Sequence, residues 1–200
     1  MTTLSGKEFN DKYHDIELYK VLSTDSIHFG FQYKHGLNVD SLPFNPRGEC
    51  SKGGLYFVSL YNLSLWLNMG IYIARVTLPN DASIYTEENT FKADKIILDL
   101  DNKVLISDFY IWKNNNWCIR MINKNGVNLQ YIKEQSEEMC KLAVCQNGYA
   151  LQYVIVQTEE ICKLAICKNG DALQFVNDQT KEICDFAVSH DARARRYIRV

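Results

Sequence analysis

Cys140-Lys-Leu-Ala-Val-Cys-Gln-Asn-Gly-Tyr-Ala-Leu-Gln-Tyr-Val154 is echoed by Cys162-Lys-Leu-Ala-Ile-Cys-Lys-Asn-Gly-Asp-Ala-Leu-Gln-Phe-Val176, 22 residues further on. The same spacing of 22 relates Cys118, Cys140, Cys162 and Cys184, then Gly126, Gly148 and Gly170, and then Gln135, Gln157 and Gln179. Self-similarity at a fixed period is the mark of stacked supersecondary units. Each unit reads as two short helices. Asn114, Ser136, Thr158 and Thr180 share one phase and are suitable N-caps, because their side-chain oxygens can accept the unpaired amides of a first helical turn. Glu137, Glu138, Glu159, Glu160 and Glu182 follow in that turn, where negative charge suits the positive end of a helix.

Within the unit starting at Thr158, Ile161, Leu164, Ala165 and the stem of Lys168 trace a helical stripe that Cys162 and Ile166 broaden. Asn169-Gly170 then reads as a stop, with Gly170 taking the positive φ of a helix end. Ala172, Leu173, Phe175 and Val176 form the second helix, and polar Asn177, Asp178 and Gln179 lead to the next cap. Helices this short are marginal alone, so stacking must stabilise them. In the final copy Arg195 stands at the phase of Leu173; a buried unpaired arginine would be costly, so this face is expected to be uncovered and the array to end there.

Ahead of the repeats the pattern differs. Leu18-Tyr-Lys-Val-Leu22, Gly54-Leu-Tyr-Phe-Val58, Ile71-Tyr-Ile-Ala-Arg-Val-Thr77 and Lys95-Ile-Ile-Leu-Asp-Leu100 are short, rich in β-branched and aromatic residues, and read as strands. Ser59–Asn68 predicts a helix, with Leu60, Leu63, Leu65 and Trp66 as its apolar surface. Pro43 and Pro46 mark a loop, and Pro79 closes the third strand. The fold class expected is therefore α+β: a small mixed front domain over residues 1–110, then a short α-helical repeat array over 114–200.

Hydrophobic residues make up 46% of the chain, enough to furnish a core and exclude disorder. A formal charge of −2 gives no global drive toward nucleic acid or anionic lipid. Four arginines near the end, Arg193, Arg195, Arg196 and Arg199, read as a charged cap of the array. No run of eighteen apolar residues is present, and the first residues lack a basic stretch followed by an apolar one, so neither a membrane span nor a signal peptide is expected. The expected setting is intracellular.

Seven cysteines raise the question of disulfides or metal. Cys140 and Cys145, like Cys162 and Cys167, are five apart without a paired histidine, which is not a zinc spacing, so no metal is expected. Recurrence at the repeat period fits small, reduced side chains in tight helix contacts. Cys50 lies outside the repeat in Gly48-Glu-Cys-Ser-Lys-Gly-Gly54 and is read as an ordinary thiol. The histidines, His14, His28, His35 and His190, show no metal spacing; His28 and His35 flank an aromatic segment. Gly53-Gly54 is a tight-turn signal, and no P-loop or dinucleotide fingerprint occurs. At this density Phe29, Phe31, Tyr33, Tyr56 and Phe57 read first as core.

Three resemblances add to these readings. Residues 114–200, with Gln157–Val176 as the best unit, resemble short helical repeats of unknown function found in proteins of giant amoebal viruses and some intracellular bacteria. Phe31–Asp40, Leu42–Pro46 and Gly53–Phe57 look like the leading module of giant-virus proteins that carry ankyrin or related repeats. This resemblance implies a viral origin, with the host cytoplasm as location and virion association as an alternative. More distantly, Leu18–Val21, Lys34–Leu37 and Gly54–Phe57 are similar to the skeleton of ADP-ribosyltransferases. That likeness implies NAD as cofactor, Tyr56 and Gly54 on the nicotinamide wall, His28 or His35 on the ribose, and Asp94 as the acidic group, where the family has glutamate. The family's early histidine falls near Lys20, a departure from its pattern.

Because the repeat is the stronger signal, the leading expectation is a cofactor-free protein-interaction or substrate-recruitment module acting on an unidentified host or viral protein. The alternative is NAD-dependent ADP-ribosyl transfer.

Overall fold

A computed structural model describes residues 2–48 and 51–199, so Cys50 lies outside the described residues. The chain divides into two compact units, residues 1–106 and 107–200.

In the first unit, Thr2–Ser5 forms β1 and Gly6–Lys12 forms α1. Ser5 caps this helix: its Oγ accepts from Glu8 N, while the Glu8 carboxylate accepts from Ser5 N at 2.7 Å. The remaining strands are β2 (Leu18–Leu22), β3 (Ile27–His28), β4 (Phe31–Gln32), β5 (Gly36–Val39), β6 (Leu55–Ser59), β7 (Tyr72–Thr77), β8 (Ser83–Thr86), β9 (Phe91–Ala93) and β10 (Lys95–Leu105). Eight of the ten strands form one antiparallel sheet in the order β1-β8-β9-β6-β2-β7-β10-β5, and β3 and β4 form a separate hairpin. The strands follow the pleat. On β7, Ala74 and Val76 are buried while Arg75 and Thr77 are exposed, and on β10, Ile96 and Leu98 point inward while Ile97 is exposed. Phe9 of α1 closes the core, its ring 5.0 Å from Phe91 and 6.4 Å from Phe57.

The four strands expected from sequence are all present, the last extended to Leu105. The expected helix over residues 59–68 is a correction: Leu60–Leu65 and Leu67–Met69 form two short 3-10 turns. Its apolar residues do not repeat at helical spacing, and only Leu63 and Leu67 become buried among its leucines.

The second unit repeats one design. Its α-helices are α2 (Asn115–Lys124), α3 (Glu137–Gln146), α4 (Glu159–Lys168) and α5 (Lys181–His190). Each is followed by a 3-10 helix: Gly126–Tyr131, Gly148–Tyr153, Gly170–Phe175 and Ala192–Tyr197. Asn114, Ser136, Thr158 and Thr180 cap the α-helices through their side chains, as their phase predicts. Asn147 both ends α3, donating its N–H to Ala143 O, and starts the next turn by accepting from Tyr149 N; Asn125, Asn169 and Asp191 act alike. The buried stripe of α4 is Ile161, Cys162, Ala165 and Ile166. Leu164 is only half-buried and Lys168 exposed, which corrects the stripe read from sequence by one helical position.

The repeated glycines also do a different job from the one expected. None of Gly126, Gly148 and Gly170 has a positive φ. They are glycines because the next unit presses on them: an added Cβ would lie 2.3 Å from Ala143 O at Gly126 and 2.6 Å from Ala165 O at Gly148. The repeated glutamines are the other joint. Gln157 Nε2 donates to Leu151 O at 3.1 Å in its own unit and to Phe175 O at 2.9 Å in the next, while its Oε1 accepts from Asn177 N at 2.9 Å. Gln135 and Gln179 repeat these bonds with Leu129, Tyr153 and Ile155, and with Leu173, Tyr197 and Arg199. Arg195 is exposed, as its phase predicts; Arg193 pairs with Asp191, and Arg196 with Asp171.

Gln157→Ala leaves buried backbone groups of two units without partners and is expected to destabilise the array by roughly 1–3 kcal/mol, against at most about 0.5 for exposed Gln152→Ala. Gly148→Ala should cost roughly 1–3 kcal/mol by overpacking. Hydrogen exchange in residues 135–180 during urea unfolding measures all three.

Candidate functional site

The first unit contains an apolar cleft of about 250 Å³, lined by side chains from β2, the β3–β4 hairpin, the 40–54 loop and β6. The hairpin is turned by Phe29 and Gly30, both at positive φ (51° and 82°), the signature of a tight turn that matches strand twist. Phenylalanine is an unusual residue for that conformation, and Phe29 is 76% exposed while lining the cleft.

Two lysines are buried here, with unlike surroundings. Lys92 on β9 is saturated: its Nζ donates to Asn45 O at 2.9 Å, Ser51 O at 2.8 Å and Ser51 Oγ at 2.9 Å, with longer contacts to Arg47 O and Lys52 O. This ammonium ties the loop to the sheet. Gly54, at φ 133°, is required beside it, since a Cβ there would meet the Lys92 stem at 2.7 Å. Gly54 N also donates to Asp40 Oδ2 at 2.6 Å.

Lys20 on β2 lines the cleft itself and is 5% exposed. Its Nζ donates to Tyr56 O at 2.7 Å and lies 4.3 Å from the centre of the Tyr33 ring, with no carboxylate partner among the described residues. Burial pushes its pKa down to about 7. His28 Nε2 is buried and makes no hydrogen bond. Burial first and the Lys20 charge second lower the His28 pKa, against weaker raising effects from the Met69 backbone and Asp25. Tyr33 is pushed up, chiefly by burial and then by Asp40.

Of the residues singled out from sequence, Tyr56, Gly54 and His28 all line this cleft. The Tyr56 ring has Lys92 Nζ 5.1 Å from its centre. His35 and Asp94 are not part of the lining. His35 is exposed, with Nδ1 3.4 Å from Asp101 and 3.9 Å from Asp99. Asp94 sits between β9 and β10, where its Oδ1 accepts from Ser83 N at 2.8 Å and its backbone O from Asp40 N at 2.9 Å. Lys20 is the residue that sequence reading passed over as a candidate; the signal was a lone charge inside an otherwise apolar strand.

The thiols of Cys140, Cys162 and Cys184 each point at the glutamine five residues before them, and the Cys118 thiol donates to Trp112 O at 3.2 Å. Burial raises all four, Cys162 to about 11. Cys145 and Cys167 are exposed, and the described cysteines form no disulfide. Among the described residues no group of His, Cys, Asp or Glu could hold a metal ion, and no helix is long and apolar enough to cross a membrane.

The chain is 33% identical over 101 residues to "Uncharacterized protein R869" of Acanthamoeba polyphaga mimivirus, spanning 72% of that protein and 48% of its own length. It belongs to the family of that mimivirus protein. From the same virus, "Putative ankyrin repeat protein R868" is 28% identical over 141 residues, 58% of this chain and 70% of that protein. Ankyrin repeat protein R229, with the same form of name, is 45% identical over 64 residues, 31% of this chain and only 21% of that longer protein. No family model matches, and no solved structure does. Whatever its relatives are called, this chain repeats at 22 residues, with an α-helix and a 3-10 helix per unit, where ankyrin units have about 33.

Alkylation of the native protein at pH 8 should modify Cys145 and Cys167 at least tenfold faster than Cys118, Cys140, Cys162 and Cys184, as read by peptide mapping. Lys20 has a second consequence. Its folded pKa lies below its unfolded value, so the unfolded chain binds more protons between about pH 7 and 10, and the buried amine is least costly at the alkaline end. The stability of Lys20→Met relative to the parent should therefore fall steadily as pH rises from 7 to 10, measured by urea unfolding.

Proposed function

We propose that the chain is a protein-interaction module whose repeat array docks a host or viral protein, with the front unit adding specificity. The likeness to mimivirus proteins named for ankyrin repeats supports a binding role. The observation that carries it is a break in the repeat. Ile155 and Val156, at the joint between two units, are 64% and 71% exposed. At the same phase the neighbouring joints carry Lys133-Glu134 and Asn177-Asp178, which are ordinary solvated residues. An apolar pair held on a rigid joint by the Gln135 bond to Ile155 N is a preorganised anchor for a partner.

The test uses the full chain as bait against Acanthamoeba and viral proteins, followed by affinity measurement with the purified partner. Ile155→Asp with Val156→Asp should weaken binding at least tenfold while leaving unfolding unchanged; undiminished binding rejects this docking patch.

A second reading, NAD-dependent ADP-ribosyl transfer, is supported by one observation: the cleft gathers Tyr56, Gly54 and His28. In it one face of Tyr56 stacks on nicotinamide and His28 contacts the ribose, while His35 and Asp94 enter only if the loops rearrange. If this reading holds, labelled NAD yields nicotinamide and a labelled acceptor, and Tyr56→Ala lowers turnover at least tenfold. A folded protein that neither binds nor consumes NAD removes it.

A further inference from the structure

A lysine in a protein interior normally ends on a carboxylate or on a shell of acceptors. Lys92 shows the second solution, with its ammonium ringed by carbonyls and a hydroxyl. Lys20 shows neither. Among the described residues its amine has one hydrogen-bond acceptor, Tyr56 O, and one aromatic face, Tyr33, and beyond them it borders the cleft. The walls of the cleft are chiefly aromatic and aliphatic, including Phe29, Phe31, Leu42, Trp66 and Met69. Its volume suits a ligand of about one ring, smaller than the occupants of typical pockets.

We propose that Lys20 is a carbonyl-reactive amine and that the cleft binds a small apolar aldehyde or ketone, held as an imine on Lys20 Nζ. The Nζ lone pair attacks the carbonyl carbon, forming the C–N bond as the C=O π bond opens, and one proton passes from the nitrogen to the oxygen. Loss of water from the carbinolamine breaks the C–O bond and leaves C=N; hydrolysis reverses each step, and no oxidant or reductant is consumed. His28 lines the same cleft with an unengaged Nε2, and its lowered pKa keeps the ring neutral at pH 7, so it can exchange the proton on the carbinolamine oxygen. The groups adjoining the amine favour a carbonyl over an anion. Tyr56 O and the face of the Tyr33 ring both present negative charge, which repels a carboxylate while leaving the nitrogen lone pair available. With a pKa of about 7, much of the amine is in the nucleophilic form at neutral pH.

Among the described residues, the ionisable groups that share the cleft with Lys20 are Tyr19 from its own strand, His28 and Tyr33 from the hairpin region, Asp40 and Lys52 from the loop, and Tyr56 from β6 with Lys92 over its ring. None places a carboxylate on Nζ, so the rate of imine formation should report the lysine itself.

The experiment treats the full chain with benzaldehyde and sodium cyanoborohydride at pH 7 and maps the reduced adducts by peptide mass. Lys20 should be modified at least tenfold faster than exposed Lys113, Lys124 and Lys181, with a rate that is half-maximal near pH 7. Adducts at amines other than the named lysines are mapped separately as internal standards. His28→Gln should slow modification at Lys20 alone, and Lys20→Met should remove that adduct while the others form unchanged. If Lys20→Met does not fold, the pH profile of the parent still decides. Modification of Lys20 no faster than of surface lysines, in a chain that retains its native hydrogen exchange, overturns the proposal. So does a cleft that takes up benzoate but forms no Lys20 adduct, which marks an anion site instead.

Discussion

A single side chain, the glutamine before the last three helical caps, holds together what would otherwise be a string of marginal helices. Gln135, Gln157 and Gln179 each bond backbone groups that belong to two successive units. Buried carbonyls at the end of a 3-10 turn have no partner inside their own turn, and a neutral amide offers them two donors and keeps an acceptor besides. The buried cysteine one turn into the helix completes the joint, since its thiol is small enough to lie against the glutamine oxygen. Packing and polar satisfaction are thus met only in the presence of a neighbour.

The front unit solves its own burial problem less evenly. Its sheet is closed by Phe9, Phe57 and Phe91 on one side, and a loop is fastened to it by the Lys92 ammonium. Lys20, on the central strand, is left with one carbonyl and one ring face next to an open apolar cleft. Stability alone would favour an aliphatic residue at that position, so the amine is the feature of this unit that calls for a chemical explanation.

Local signals were legible in the sequence and non-local ones were not. The caps at Asn114, Ser136, Thr158 and Thr180 depend on the next three residues, and they are where the phase put them. Gly170 was misread as a helix-ending conformation, because its actual constraint is the side chain of Asp191, 21 positions later. The recurrence of Gln157 was visible in the sequence but its joining role was not, because its second carbonyl is 18 positions away. In the front unit the strands announced themselves by composition, whereas β1, α1 and the short strands β3–β5, β8 and β9 carry too few residues to show a period. Tyr56, Gly54 and His28 meet through sheet order and a hairpin, which no spacing reveals; Asp94 and His35 came from the same family resemblance and lie elsewhere.

The joint has an evolutionary corollary. Every contact across it is counted in whole units, so duplicating or deleting a segment of 22 residues returns each glutamine, glycine and cap to an equivalent neighbour. An insertion of any other length inside the array would bring a carbonyl against a side chain and leave an amide facing nothing. Genes encoding such arrays can therefore grow or shrink freely by unequal recombination, in steps of one unit, while the reading frame of the architecture stays locked.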